Sequence, residues 1–437
     1  MARSADRSPL HDEVIIKMRL TPALFDHTAA LLSELLGTTF PADSTVSRYF
    51  RLHRQLGHGD RGFIAEAVYG VLRRKRSLLA RCCEQPSSRH LLLAWLGCSQ
   101  GLNRRELDAV LGENEAKWLA QAKAVRLEDL SPAVRLDLPD WLFEALSAEF
   151  AAEEVVSLAN SLAQPAPLDL RVNPLKAKRE DVLARFADDK IAAQACPYSP
   201  LGIRLAGKPS LARHPLFLDG SVEVQDEGSQ LLGFLVQPKR GEMVADFCAG
   251  AGGKTLLLGA LMRSQGRLYA FDVVEKRLAK LKPRLARSGL SNVHPARLES
   301  ENDIKIKRLA GKLDRVLVDA PCSGLGTLRR NPDLKWRQTP ESVAELTAKQ
   351  AAILNAASSL VRSGGRLVYA TCSLLRDENE AIVLAFLGAH PDFVPLSAAE
   401  VLRKQDIVIE EDANGRLQLR PDRHGTDGFF AAVMERR

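Results

Sequence analysis

Two cysteines stand in nearly identical settings. LVDAPCSG, ending at Gly324, carries Cys322, and LVYATCS, ending at Ser373, carries Cys372. Each follows a run of Leu, Val and Ala, and each precedes a serine. Short apolar runs of this kind read as buried strands, whose ends can deliver two thiols to one place. A lone buried cysteine is most simply a packing residue. A matched pair at two strand ends points instead to chemistry, because a thiolate is a strong, soft nucleophile once its pKa is depressed. Asp319, in the same run as Cys322, adds a carboxyl group nearby.

A glycine turn, DFCAGAGGKT from Asp246 to Thr255, lies upstream. Gly250, Gly252 and Gly253 let the backbone take positive φ and approach a ligand closely. In an open α/β sheet such a ligand sits beyond the strand ends, at the first strand-to-helix turn. A phosphate-binding GxxxxGK[ST] loop would need glycine at 248, where Cys248 stands. A dinucleotide GxGxxG fingerprint from Gly250 would need glycine at 255, where Thr255 stands. The remaining pattern, Asp246 followed by spaced glycines, suits a ligand with an ammonium group and an adenosine, which is S-adenosylmethionine. The run YAFD ends at Asp272, about 20 residues on, where an acid can accept from both ribose hydroxyls. Alternatively, Asp272 caps the next helix.

A methyl donor beside two thiols suggests one reaction. Pyrimidine carbon 6 is electrophilic, and thiolate addition there makes carbon 5 a nucleophile toward a methyl sulfonium. The carbon-5 proton must then leave before the thiol is eliminated, which requires a base. Asp319 could hold the pyrimidine N3 edge if its pKa were raised enough to share a proton.

These residues need rigid elements to position them. From about residue 238 strands and helices alternate: EMVADFC, RLYAFD, NVHPARL, DRVLVDA, GRLVYATC and GFFAAVM are strands, separated by helical segments that include 341–361. Near-continuous apolar strands alternating with helices predict a parallel, doubly wound sheet. Residues 161–237 read as a small α+β module: LDLRVN, IRLAG and SVEVQD as strands, REDVLARF as a helix. Arg171 and Asn173 fall on its first strand, as edge-strand polar residues or as contacts to a substrate backbone. Residues 18–160 show apolar positions at three and four spacings, as in PALFDHTAALLSELL and GFIAEAVYGVLRRKRSLLARC, and predict an all-helical domain. Residues 1–17 have no period and read as a tail.

Net charge is +7, from 61 Lys and Arg against 54 Asp and Glu, which is compatible with a polyanionic partner. The helical domain concentrates Arg51, Arg54, Arg61, Arg73, Arg74, Lys75, Arg76 and Arg81. They read either as an RNA contact or as a solvated helix end that complements its own dipole. Seven cysteines without a CxxC pair predict free thiols in a reducing cytosol and no metal. No apolar run approaches the length of a membrane span, and a monomer is expected.

The motif set VADFCAGAGGKT, YAFD, LVDAPCSGLGTLRRNPDLKW, LVYATCS and HGTDGFF resembles, in order and spacing, that of the RsmB/Nop/Sun family of S-adenosylmethionine-dependent RNA cytosine-5 methyltransferases. LRVN and VQDEGSQ resemble the small module that precedes the catalytic core in this family. GDRGFIAEAVYGVLRR resembles the NusB-like RNA-binding domain of its bacterial small-subunit ribosomal RNA branch. The resemblance implies a multidomain chain: a Rossmann-like α/β class I methyltransferase domain, preceded by the α+β module and an all-helical NusB-like domain. It implies 16S ribosomal RNA as substrate, with transfer RNA as an alternative and a catalytically silent RNA-binding assembly factor as another. By the same resemblance Cys372 is the nucleophile and Cys322 assists release. Asp319 contacts the cytosine and lies near the methyl donor. The turn of Cys248, Ala249, Gly250, Ala251, Gly252, Gly253 and Lys254 cradles the methionine part, with Lys254 reaching the catalytic acid. Asp272 binds ribose, and Arg277 falls at the family's usual arginine. Glu299, in the run RLESEND, takes the place of an aspartate near the adenine amine.

Cytosine in a duplex hides carbon 6, so the target is expected single-stranded or flipped out. Arg329, Arg330, Lys335 and Arg337 follow Cys322 and are candidates to meet that RNA, with Trp336 stacking on a base or packing in the core.

Overall fold

The computed structural model describes residues 20–82 and 86–437. The 1–17 tail and Cys83 lie outside the described residues. The chain divides into two compact units, residues 1–165 with Leu328–Thr339, and Ala166–Thr327 with Pro340–Arg437.

The first unit is helical. Its core gathers the apolar faces of helices Pro22–Gly37, Ala42–Leu52, His58–Arg73 and Ser88–Ala94 around Phe25, Ile64, Leu92 and Trp95. The expected single helix through GFIAEAVYGVLRRKRSLLARC breaks at Arg74 into His58–Arg73 and Lys75–Arg81. Asp137 holds the second piece, accepting from the Ser77 amide and hydroxyl, each at 2.8 Å.

The segment Leu328–Thr339, which follows Cys322 in sequence, belongs to this helical unit. Trp336 donates through Nε1 to the Leu72 carbonyl at 2.7 Å, and Lys335 Nζ donates to the Arg73 carbonyl at 2.8 Å. Asp333 accepts from the Ala42 amide at 3.2 Å, and Arg73 Nη2 donates to the Arg329 carbonyl at 3.1 Å. This corrects the expectation of an RNA-facing run for Arg329 and Lys335, while Arg337 is exposed and Arg330 half-buried. Arg329 and Lys335 are buried, Trp336 packs against the helical core, and Arg337 pairs with Asp333. Much of the other basic cluster is structural too. Arg73 is buried, Arg76 binds the Leu138 carbonyl and Asp140, and Arg81 binds the carbonyls of Ala122 and Val125. Charge counted along a sequence does not distinguish a solvated guanidinium from one that caps a helix inside a core.

The second unit holds two sheets. The smaller is antiparallel: β1 (Leu168–Val172), β2 (Ala193–Ala195), β3 (Gly202–Leu205) and β4 (Val222–Val224), in the order β2-β3-β1-β4. β1 is interior, so Arg171 and Asn173 are not edge-strand residues; both are buried.

The larger sheet contains β5 (Met243–Asp246), β6 (Arg267–Asp272), β7 (Val293–Arg297), β8 (Leu313–Asp319), β9 (Val361–Thr371), β10 (Phe393–Leu396), β11 (Leu417–Leu419) and β12 (Phe429–Arg436). The order is β10-β12-β9-β8-β5-β6-β7, with β11 beside β12. β5 to β9 are parallel, and the order reverses between β5 and β8, the switch point at which doubly wound sheets bind ligands. The expectation of a wholly parallel sheet is corrected at one margin. β12 runs antiparallel to β9, and β10 and β11 antiparallel to β12. A continuously apolar run reports burial on both faces, which β12 has because Phe429, Ala431 and Val433 enter one core layer and Phe430, Ala432 and Met434 the other, and it carries no information on direction.

Alternation along the central strands divides the core into two layers. Val244, Leu317 and Val368 face the helices Glu227–Val236 and Gly253–Leu261, while Ala245, Val316, Val318 and Tyr369 face Pro340–Ser358 and Glu380–Ala389. Among the described residues no helix is long and apolar enough to cross a membrane.

Candidate active site

The parallel strands β5, β6, β8 and β9 bring most of the predicted site residues to their C-terminal ends, around the switch point. β5 ends at Asp246 and feeds the glycine turn. Gly252 has φ +82°, and a Cβ there would stand 2.2 Å from Leu281 Cδ1, so both conformation and space require glycine. The Gly250 amide donates to Asp272 Oδ2 at 2.8 Å, and the Val274 amide donates to Asp272 Oδ1 at 2.7 Å. Asp272 is therefore both the acid at the end of β6 and the residue that fixes the turn to it. Each carboxylate oxygen keeps a further lone pair for a ligand.

Lys254 opens the helix after the turn and reaches Asp319 at the end of β8, with Nζ to Oδ2 at 2.7 Å. The same ammonium lies 5.8 Å from the centre of the Phe429 ring. Burial works to lower the Lys254 pKa, but the charge and hydrogen bond of Asp319, with Cys372 and Asp246, hold it above its ordinary value.

The two cysteines meet. Cys322 Sγ and Cys372 Sγ are 3.3 Å apart. Cys372 follows β9 directly, and Cys322 follows β8 after Ala320 and Pro321. Glycines set the approach. The Gly326 amide donates to the Cys372 carbonyl at 2.9 Å, and the Gly428 amide donates to the Gly326 carbonyl at 2.8 Å. A Cβ on Gly326 would stand 2.1 Å from the Gly428 carbonyl oxygen, which gives the terminal HGTDGFF motif its structural reason. The hydrogen bond with Cys372, burial, and the charges of Cys372 and Glu378 push the Cys322 thiol well up. Burial pushes Cys98, Cys196 and Cys248 upward, and the described cysteines form no disulfide.

Among the described residues no hydrogen bond or ion pair joins Arg277 or Glu299 to this cluster, although the Arg277 charge acts on Cys248. Arg277 is exposed on the first turn of Glu275–Ser288. Glu299 lies just past β7, with its side chain 75% exposed and 3.4 Å from Arg297 Nη2, and the buried acid of its segment is Asp303.

Three features escaped sequence reasoning. Glu378 is fully buried and accepts from Ser323 and Ser373, the residues after the two cysteines. Its place at a helix start, in RDENE, suggests only a capping acid. Arg171 Nη1 donates to the Gly253 carbonyl at 2.7 Å, and Arg284 Nη1 donates to the Ala251 carbonyl at 2.7 Å, so two guanidinium groups hold the glycine turn.

Asp246 tests the fit of a cationic ligand. It is wholly buried, with Oδ2 accepting from the Thr255 hydroxyl at 2.7 Å and Oδ1 without a hydrogen-bond partner. Burial pushes its carboxyl from 3.8 up to about 7. An ammonium brought to this site would relieve that cost. Among the described residues no cluster of His, Cys, Asp and Glu is arranged to hold a metal ion.

A family model described as 16S rRNA methyltransferase RsmB/F matches residues 233–435. A probable ribosomal RNA small subunit methyltransferase B of Synechocystis is 34% identical over 432 residues, covering 90% of this chain and 95% of that one. The chain belongs to the RsmB/F methyltransferase family.

A second model, for the ferredoxin-like domain of RsmF/B-like methyltransferases, matches residues 138–212. A probable small subunit methyltransferase B of Bacillus subtilis is 34% identical over 305 residues, 68% of this chain and 66% of that one. Among solved structures, PH0851 superposes with a TM-score of 0.76 at 25% identity, covering 96% of this chain and all of that one. A methyltransferase homologue from Pyrococcus horikoshii gives 0.60 at 30% identity over 70% of this chain. NSun6 from the same organism, solved with the S-adenosylmethionine analogue SFG, shares the fold at 0.61 and 22% identity. The family uses S-adenosylmethionine.

Proposed function

We propose that this RsmB/F enzyme methylates carbon 5 of a cytosine in 16S ribosomal RNA by covalent catalysis, with Cys372 as nucleophile and Cys322 as the thiol that permits release. The 3.3 Å contact between the two sulfurs carries the reading. Bound S-adenosylmethionine supplies an electrophilic methyl group on a sulfonium for carbon 5. The Cys372 thiolate adds to carbon 6, forming a carbon–sulfur bond and pushing electrons onto the ring. Asp319, held by Lys254, lies against the base and steadies the polarised ring. Once Cys372 is a thioether, its charge no longer weighs on Cys322. Cys322 can then lose its proton to solvent and take the one leaving carbon 5, and the returning electrons expel Cys372. The glycine turn from Cys248 to Lys254 receives the methionine end, with Asp246 facing its ammonium. Asp272 takes the ribose, and Arg277 and Glu299 border the adenine side. The helical unit reads as an RNA-binding element, and the RNA presents its target cytosine unpaired.

Separate replacement of each cysteine is the test. Cys322→Ser should add and methylate but stall before elimination, leaving a protein–RNA adduct that survives denaturing electrophoresis and disappears with ribonuclease. Cys372→Ser should give none. An adduct from Cys372→Ser alone reverses the roles. Adducts from neither variant, together with retained RNA affinity, remove covalent catalysis and favour a silent RNA-binding assembly factor. Sequencing the trapped RNA distinguishes ribosomal from transfer RNA.

A further inference from the structure

Glu378 has no part in the mechanism above, yet its environment is demanding. It is fully buried. Oε1 accepts from the Ser323 amide at 2.8 Å and from Gln350 Nε2 at 2.9 Å, and Oε2 accepts from the Ser323 and Ser373 hydroxyls. Four polar groups thus converge on its two oxygens. Among the described residues no lysine or arginine pairs with it. A buried carboxylate held only by neutral donors costs several kcal/mol, and packing alone gives no reason to keep it. Ser323 follows Cys322, and Ser373 follows Cys372, so one carboxylate clips together the residues that follow the two thiols.

We propose that Glu378 is a positioning residue for the thiol pair: its carboxylate fixes the two cysteine turns against each other, and its charge sets which sulfur acts as nucleophile. The inference deepens the cysteine reading above and rests on it. The ionisable groups facing Cys322 are Cys372, Glu378 and Tyr369, whereas Lys254 faces Cys372. Negative charge from Glu378 therefore weighs on Cys322, while the ammonium of the Lys254–Asp319 pair lies toward Cys372. Glu378 is one cause of the raised Cys322 pKa, after the Cys372 hydrogen bond, burial and the Cys372 charge. Removing it moves Cys322 ionisation to lower pH.

Alkylation of the full-length protein by iodoacetamide, from about pH 6 to about pH 10 and mapped by peptide mass spectrometry, reads this sorting without RNA. Wild type is expected to react first at Cys372. In Glu378→Gln the onset of Cys322 alkylation should move to lower pH, narrowing the selectivity for Cys372 over Cys322. Glu378→Asp, which keeps the charge, should retain the wild-type order. Unchanged profiles in a folded Glu378→Gln would overturn the proposal. Should that variant fail to fold, Gln350→Leu removes one donor and keeps the charge. It should slow adduct formation in the Cys322→Ser background without moving either alkylation profile, and an unchanged adduct rate would also overturn the proposal. Altered sorting without any RNA adduct would sink the cytosine reading and leave the thiol-sorting role standing.

Discussion

Cofactor affinity should depend on pH through Asp246. Its carboxyl is pushed from 3.8 to about 7, chiefly by burial. The hydrogen bond from Thr255 and the charge of Lys254 oppose the shift, and the charges of Asp319 and Asp272 add to it. Three pH units correspond to about 4 kcal/mol at about 1.4 kcal/mol per unit. The ionised fraction is about nine-tenths at pH 8, about one-tenth at pH 6 and about one-hundredth at pH 5. If the ligand ammonium needs the carboxylate, affinity for S-adenosylhomocysteine, which keeps the amino group, should fall about tenfold from pH 8 to pH 6 and about a hundredfold to pH 5. Asp246→Asn should bind more weakly at pH 8 and lose the slope. The fold responds in the opposite sense. A carboxyl with a raised pKa imposes no cost below about pH 4, and the cost grows to its full value above about pH 7. Without ligand, Asp246→Asn should therefore match wild type at pH 4 and gain up to about 4 kcal/mol above pH 7. Isothermal titration calorimetry across this range measures the first effect and denaturation the second. A flat wild-type binding profile, or the same slope in Asp246→Asn, would refute the assignment of the ligand's ammonium to Asp246.

Lys254→Met leaves the Asp319 carboxylate without its cation, so it should abolish methyl transfer and cost about 1 kcal/mol, because the pair is only half-buried; single-turnover methylation and denaturation measure the two. Gly326→Ala places a methyl group against the Gly428 carbonyl and should separate the Cys322 and Cys372 turns. Its adduct yield in the Cys322→Ser background should drop while S-adenosylhomocysteine affinity holds. Lys335, whose pKa burial lowers to about 7, is disfavoured as a cation in the fold, so stability should rise as pH climbs from about 7 toward about 10. Lys335→Met should flatten that rise and leave the salt slope of RNA binding unchanged, since Lys335 is buried and not a phosphate contact.

The parts of the site legible in the sequence are those set by a few consecutive residues. A turn that needs glycine at Gly252, a strand ending in Asp272 and an apolar run ending in Cys372 each state their conformation locally, and parallel alternation then sets their ends together. What remained hidden depends on partners far along the chain. Glu378 gains its meaning only because Ser323, 55 residues away, turns toward it. Lys335 and Trp336 look available for RNA until the carbonyls of Arg73 and Leu72, more than 260 residues away, are found to hold them. The direction of β12 was equally hidden, because burial and strand direction are independent.

The small sheet shows why the catalytic core is not built from the larger sheet alone. A glycine turn that must approach a ligand gains flexibility from the residues that permit the approach, and something outside it has to restore order. Here β1 supplies Arg171 to the Gly253 carbonyl. β4 supplies Glu223, which accepts from Arg284 and Arg287 on the helix after β6, and Arg284 then reaches the Ala251 carbonyl. Burial lowers the Arg171 pKa to about 10, so at neutral pH it keeps its charge at a desolvation cost. The cations bind the carbonyl side of the turn, leaving the Asp246 carboxylate to a ligand. The module from β1 to β4 is thus part of the wall that holds the turn in shape, which accounts for its lying in one compact unit with the strands that carry the thiols.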